Sequence, residues 1–380
     1  MSARDPAPGE AQRLAQQYRT YGRFEMRQHG SPIYAALCEG LAGDPGIGRL
    51  ALEAREGFRT PLILLAAVHY LLLAGLDHPL ARYYPSLAGD EARPIDAGLY
   101  PAFRDLVAEH REAVRVLVST RTTQTNEARR TVITLPALGL AAAEAGLPLA
   151  LLEIGASAGL NLLPDRYGFQ LGDSRVGDAS SAVQIDCAVE GELRPPVPAV
   201  VPTVAWRAGI DLNPLDVRDP DTLAWLRALV WPEHRDRLAI LDGAAAIARR
   251  DPPRLVRGDL VDGLPALAGD APRDAGLVVL GTWVLSYLPV PRRLMLIETL
   301  RRLARDERRT VWFASVESER VLPSLGVGIG SAPADGSEGW SVLSLHRFEA
   351  AGPSVHQLLA TCHAHGRWMR WMDAATAGQA

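Results

Sequence analysis

Lysine is missing from this chain: its 40 basic residues are all arginine. That excludes a Schiff-base or general-base lysine. Cysteine is scarce. Cys38, Cys187 and Cys362 lie far apart, show no C-x-x-C spacing and leave an odd count. A disulfide framework and a structural zinc site are therefore not expected, and a reducing compartment is. Excess charge of one sign is small, at -4 net, and aromatics make up 6%. Neither a basic surface nor an aromatic-rich basic groove points to nucleic acid. The most apolar stretch, PLILLAAVHYLLLAGL from Pro61 to Leu76, is short for a membrane span and contains His69 and Tyr70. It reads as a buried helix. The opening residues MSARDPAPGEAQ contain no apolar signal core, so the expected location is cytoplasmic, without membrane attachment.

The 380 residues are 48% hydrophobic and 22% charged, enough to bury a sizeable core. Residues 1–148 read as a helical N-terminal domain. Gln12–Gln28, Ile33–Leu41, Pro61–Leu76, Tyr100–Ser119 and Asn126–Ala145 carry apolar residues at helical spacing. From Leu149 the pattern changes to strand-like runs alternating with helices. Strands are expected at Ala150–Ile154, Val204–Ile210, Leu255–Gly258, Gly276–Leu280, Thr310–Ser315, Ser341–Phe348 and His356–His363. Helices are expected at Ala158–Leu163, Pro220–Val230, Glu233–Arg250, Leu264–Ala268 and Pro291–Arg305. This alternation predicts an α/β domain over 149–380, with a Rossmann-like, doubly wound, mostly parallel sheet and an antiparallel final strand pair. The Gly-, Asp- and Pro-rich stretch at about 165–203 reads as an insertion, a hairpin or flap near the site.

The chemistry centres on LLEIGASAGLNL, residues 151–162. Gly155-Ala156-Ser157-Ala158-Gly159 fits the G-x-S-x-G nucleophile elbow, which would make Ser157 a nucleophile. An acid (Asp259 or Asp262) and a histidine (His346, His356, His363 or His365) follow in the required chain order. Against this, the residues before Leu149 look helical, no HGGG-type stretch precedes the turn, and Glu153 sits at an odd place for a buried strand end. A dinucleotide fingerprint is weak, because Ser157 and Leu160 stand where glycines are wanted.

S-adenosylmethionine makes other demands. A small-residue loop allows close backbone approach, and a carboxylate at the end of the second strand can accept both ribose hydroxyl protons. Asp211, followed by Leu212, stands there; Asp259 and Leu260 follow the third strand; Gly281, Thr282 and Trp283 end the fourth. Ligands of open α/β sheets bind at that edge. Asp211 can alternatively be a turn former, Asp259 a helix cap, and Trp283 and Tyr287 core aromatics. Gln124, Asn126 and Arg130, just before the first strand, are candidates for holding a carboxylate or a substrate.

The stretches RTTQTNEARRTVITLPAL, LLEIGASAGLNLLPDRYGFQLGD, RAGIDLNPLDVRDPD and GTWVLSYLP resemble those of a bacterial domain-of-unknown-function family, number 2332, over nearly the whole chain. That resemblance implies no established activity. The second half is similar to class I S-adenosylmethionine-dependent methyltransferases. Glu153, Gly155 and Gly159 match their first motif, Asp211 matches the second-strand acid, and Ser157 replaces the usual middle glycine. This resemblance implies a methyltransferase-like enzyme acting on a small-molecule acceptor, with S-adenosylmethionine as cofactor. Tyr287, or His29 or His69 from the helical half, would be its base. No N-P-P-Y tetrad follows the fourth strand, so methylation of base amino groups is not indicated. No metal cluster is visible. The alternatives are a serine hydrolase using Ser157 and a non-catalytic scaffold; oligomeric state is left open.

Overall fold

The structure is a computed structural model that describes residues 8–27, 29–325 and 340–372. The N-terminal residues read as lacking a signal lie mostly outside it. The chain divides into two compact units, residues 1–125 with 218–239, and residues 126–217 with 240–380.

Helices of the first unit include Pro8–Tyr21, Pro32–Ala42, Pro61–Leu73, Leu99–Glu109, Arg111–Thr120 and Pro220–Leu229. The single helix expected over Tyr100–Ser119 is broken at His110 into two. The apolar Pro61–Leu73 helix is buried around most of its circumference, as its lack of a polar face requires. Its His69 is fully buried, with Nδ1 3.1 Å from the Ala228 carbonyl oxygen and Nε2 2.8 Å from Ser86 Oγ. Burial lowers its pKa to about 4. Among the described residues no helix is long and apolar enough to cross a membrane.

The second unit is mixed α/β. Its strands are β1 (Leu149–Ile154), β2 (Gly168–Leu171), β3 (Ser174–Gly177), β4 (Gln184–Glu190), β5 (Val204–Asp211), β6 (Arg254–Arg257), β7 (Gly276–Thr282), β8 (Val311–Ser318), β9 (Trp340–Phe348), β10 (Val355–His363) and β11 (Trp368–Trp371). They form one 11-stranded, mostly parallel sheet in the order β3-β2-β4-β11-β10-β9-β8-β7-β1-β5-β6. The parallel core is β6-β5-β1-β7-β8. Strand order reverses between β1 and β7, so a crevice is expected beyond their carboxyl ends. β1 and β7 are buried along their whole length, which explains their unbroken apolar runs. Ala150, Leu152 and Ile154 enter a core shared with Leu296, Leu300 and Leu303 of the helix Val290–Glu307. Strand alternation sends Glu153 to the other face. The helix Thr131–Ala145 packs on β7 and β8 and belongs to this unit. β9 and β10 pair antiparallel, and β9 also pairs antiparallel with β8.

Two local expectations are corrected. No α-helix follows β1: Leu160–Leu162 and Pro164–Arg166 are single 3-10 turns. Left-handed residues at 155, 157 and 159 precede this segment, and Pro164 ends it after too few residues to nucleate an α-helix. Of the two forms expected for the insertion, the hairpin is present as antiparallel β2–β3, but the insertion is no free flap. Its strands β2, β3 and β4 extend the sheet, with β4 parallel to β11. Arg207 holds the 3-10 segment: it grips the Asp165 carboxylate with two bonds of 2.9 and 2.8 Å and donates to the Leu162 carbonyl at 3.0 Å. Both side chains are largely buried. Arg207→Ala leaves that carboxylate with only the more distant, half-exposed Arg166 at 3.7 Å and is expected to cost about 2 kcal/mol in urea unfolding. A cost indistinguishable from that of an exposed arginine would contradict the role.

Candidate functional site

At the carboxyl end of β1 the chain turns three times through left-handed backbone, with φ of +67° at Gly155, +51° at Ser157 and +71° at Gly159. The turn is tied to β5. Gly155 N–H donates to the Ile210 carbonyl at 2.8 Å, and Leu215 N–H donates to the Ser157 carbonyl at 3.0 Å. Asp211 is the central anchor. One carboxylate oxygen accepts from Ser157 N–H at 2.9 Å, the other from Asn213 N–H at 2.7 Å. Asn126 Oδ1 accepts from Leu160 N–H at 2.9 Å and so closes the far side of the loop.

Behind the loop lies a buried polar cluster. Glu153 Oε1 accepts from Asn161 Nδ2 at 2.9 Å, and Asn161 Nδ2 lies 3.4 Å from Thr282 Oγ1. Arg130 donates to the Thr282 carbonyl at 3.3 Å and to the Ala364 carbonyl at 3.0 Å, with its guanidinium 6.0 Å from the Trp283 ring centre. On β8, Glu317 Oε1 accepts from Val284 and Leu285 N–H, both at 2.8 Å, and thereby fixes the turn after β7. Glu153 Oε2, Ser157 Oγ, Asn161 Oδ1 and Glu317 Oε2 are buried and have no hydrogen-bond partner in the protein. Such atoms cost free energy unless a ligand or water meets them.

Burial raises the Glu153 carboxyl to about 8, helped by nearby Asp211 and opposed by Asn161 and Arg130. Burial likewise raises Glu317 to about 7, against its backbone donors and Arg130. Glu153 thus holds a proton at neutral pH and can give or take one. A raised folded-state pKa has a stability cost that grows with pH. Below the ordinary glutamate range both states are protonated. Between there and about pH 8 the unfolded chain ionises while Glu153 does not, so stability falls through that window and then levels. Glu153→Gln is expected to remove this share, a gain on the order of 2 kcal/mol at pH 8 and almost none at pH 4. Urea unfolding at both pH values checks it; equal gains at both would assign the effect to packing.

The remaining expected site residues are placed as follows. Leu212, beside Asp211, is 70% exposed. Asp259 caps its own turn, accepting from Val261 N–H at 2.8 Å and Asp262 N–H at 3.1 Å, and pairs with Arg292. Leu260 is core. A side chain on Gly281 would meet Phe313 Cε2 at 3.1 Å. Trp283 has left-handed backbone, and its indole donates to Ser341 Oγ at 3.0 Å. Tyr287 is 74% exposed in a 3-10 turn. Gln124 belongs to the first unit. Among the described residues Ser157 Oγ has no hydrogen-bond partner, whereas an elbow nucleophile needs a base there. Sequence reasoning missed Glu317 and Asn161. The signal was present: Glu317 is a carboxylate ending an apolar strand, as Glu153 is.

A family model matches residues 15–371. The chain belongs to a bacterial family of uncharacterised proteins, domain-of-unknown-function family 2332. No curated protein and no solved structure matches it. For this family member, then, the reading of function rests on the site. Among the described residues no cluster of His, Cys, Asp or Glu is suited to hold a metal ion, and all three cysteines are buried and free.

Proposed function

We propose that the protein binds S-adenosylmethionine and is a methyltransferase-like enzyme acting on a small-molecule acceptor, its sheet of methyltransferase type and preceded by an all-α N-terminal domain. The observation that carries this reading is Asp211. It ends β5 next to the point where strand order reverses, with its carboxylate directed at the β1 loop. A carboxylate has about four lone-pair sites, and the backbone takes two here. The rest suit a ribose diol, and exposed Leu212 beside it offers an apolar face for a base.

The unpartnered Ser157 Oγ, Asn161 Oδ1 and Glu153 Oε2 fit a ligand carrying an ammonium and a carboxylate. The glycines do not form an open cradle. A side chain on Gly155 would meet Val284 at 2.3 Å, and one on Gly159 would meet Pro253 at 2.8 Å. Ligand polar groups would thus be met by Asp211, Ser157, Asn161, Glu153 and loop backbone. When bound, the cofactor supplies a methyl group on a sulfonium. The chain's own part is to orient the reactants, exclude water and hold a proton at Glu153.

Calorimetric titration of ligand-free protein with S-adenosylhomocysteine tests the reading. Saturable one-site binding is expected. No binding by folded, ligand-free protein would remove the cofactor assignment, and fluorophosphonate labelling lost in Ser157→Ala would replace it with the hydrolase.

A further inference from the structure

A second polar constellation lies at the opposite edge of the same sheet, where β10 begins. A hydrogen-bonded chain crosses three strands: Ser315 Oγ on β8 is 2.7 Å from Ser344 Oγ on β9, Ser344 Oγ is 2.9 Å from His346 Nε2, and His346 Nδ1 is 2.7 Å from His356 Nδ1 on β10. Ser315, Ser344 and His346 are fully buried, with His346 stacked on Phe313. His356 is the outer member. It lines a cavity of about 340 Å³ together with Arg301 and Arg305 of the helix Val290–Glu307, Ser354, and the turn starting at Glu349.

Two imidazole Nδ1 atoms at this distance share one proton, so the chain has two senses. With every donor pointing outward, His356 Nε2 carries the proton. With every donor pointing inward, His356 Nδ1 donates to His346 and Nε2 becomes an acceptor. In the inward sense His356 can take a second proton at Nε2 while every inner group keeps its partner. The buried end therefore holds the ring in orientation and tolerates its ionisation.

The charges around His356 come from several elements. Arg301 and Arg305 face it from the helix. Arg305 pairs with Glu298 at 3.0 Å and Arg301 does so at 3.8 Å, and Glu298 is 58% exposed. Such surface pairs are weak and readily exchanged for a ligand. From β9 and the turn, Arg347 and Glu349 pair with each other at 2.8 Å, and Glu349 also accepts from Thr310 Oγ1 at 2.9 Å. Arg301 and Arg305 are thus set against two carboxylates, Glu298 beside them and Glu349 in the cavity wall, and Arg347 divides its charge between Glu349 and Glu144, so it is a charged His356 that tips the cavity positive.

The geometry points to a binding site for a small oxyanion, a sulfate-like or phosphoryl group, held by Arg301, Arg305 and His356, with His356 as a proton-dependent third ligand. It is independent of the S-adenosylmethionine reading. Burial, and then Arg301, keep free His356 below the ordinary imidazole range. Anion binding therefore takes up a proton and strengthens as pH falls.

Sulfate is the probe, because its charge is constant over the range used. Calorimetry at about pH 5.5 and about pH 8 is expected to show one saturable site, about tenfold tighter at the lower pH. The double variant Arg301→Gln/Arg305→Gln should weaken binding about tenfold or more at both values. Its side chains are 43% and 56% exposed, so folding is preserved. His356→Gln should keep the weaker high-pH affinity and lose the pH dependence. Absence of saturable binding at about pH 5.5, unchanged affinity in the arginine variant, or pH dependence surviving in His356→Gln would each overturn the proposal. A parallel titration with phenyl phosphate separates a free inorganic ion, bound equally well, from a phosphoryl group on a larger molecule, bound more tightly.

Discussion

Asp211→Ala is expected to lose S-adenosylhomocysteine affinity by about 2–4 kcal/mol, roughly 30- to 1000-fold. Two effects add. On the proposed cofactor reading a ribose would lose charge-assisted acceptors, and the β1 loop loses the anchor that Asp211 provides at Ser157 and Asn213 N–H. The variant also separates the cofactor role from that of a turn former. An Asp211 that only anchors the loop would lower the unfolding free energy and the affinity by similar amounts. An affinity loss well beyond the stability loss, with circular dichroism intact, supports the cofactor role. Asp211→Asn should fail too, because its amide nitrogen would face a backbone donor that needs an acceptor.

Gly155→Ala is expected to destabilise the protein by about 3 kcal/mol. The added methyl group meets Val284 Cγ2 at 2.3 Å, and the backbone at +67° disfavours any L side chain. The two contributions can be told apart. In a Val284→Ala background the Cγ2 contact is gone while Cβ stays 2.9 Å from the added methyl, so the clash is eased but not abolished and the same substitution should cost about 2 kcal/mol, most of it from the backbone. Equal costs in both backgrounds, measured by urea unfolding, would show that Val284 yields and that only the backbone angle matters.

Much of the second unit was legible because buried parallel strands are continuous apolar runs with charged or glycine-rich ends. Expected Gly276–Leu280 is observed as Gly276–Thr282, and expected Val204–Ile210 as Val204–Asp211. Glu153 stood out because a carboxylate inside such a run has no packing reason to be there. The segment after β1 was misread as a helix because apolar spacing alone does not register left-handed turns. Asp259 was ambiguous for a different reason: cap and ligand acceptor use the same carboxylate, and only its observed partners distinguish them.

The order of residues by itself determined that this chain alternates strands and helices after Leu149, that it lacks a lysine nucleophile, and that Gly155, Ser157 and Gly159 form a turn. These follow from local periodicity and composition, which neighbours distant in sequence do not alter. Only the tertiary structure decided that Pro220–Leu229 joins the first unit, that the insertion extends the sheet, and that Arg130, Glu153 and Glu317 share one buried cluster. Each of those outcomes depends on which distant surface buries a given side chain, and an amphipathic helix or an edge strand carries no local mark of its partner.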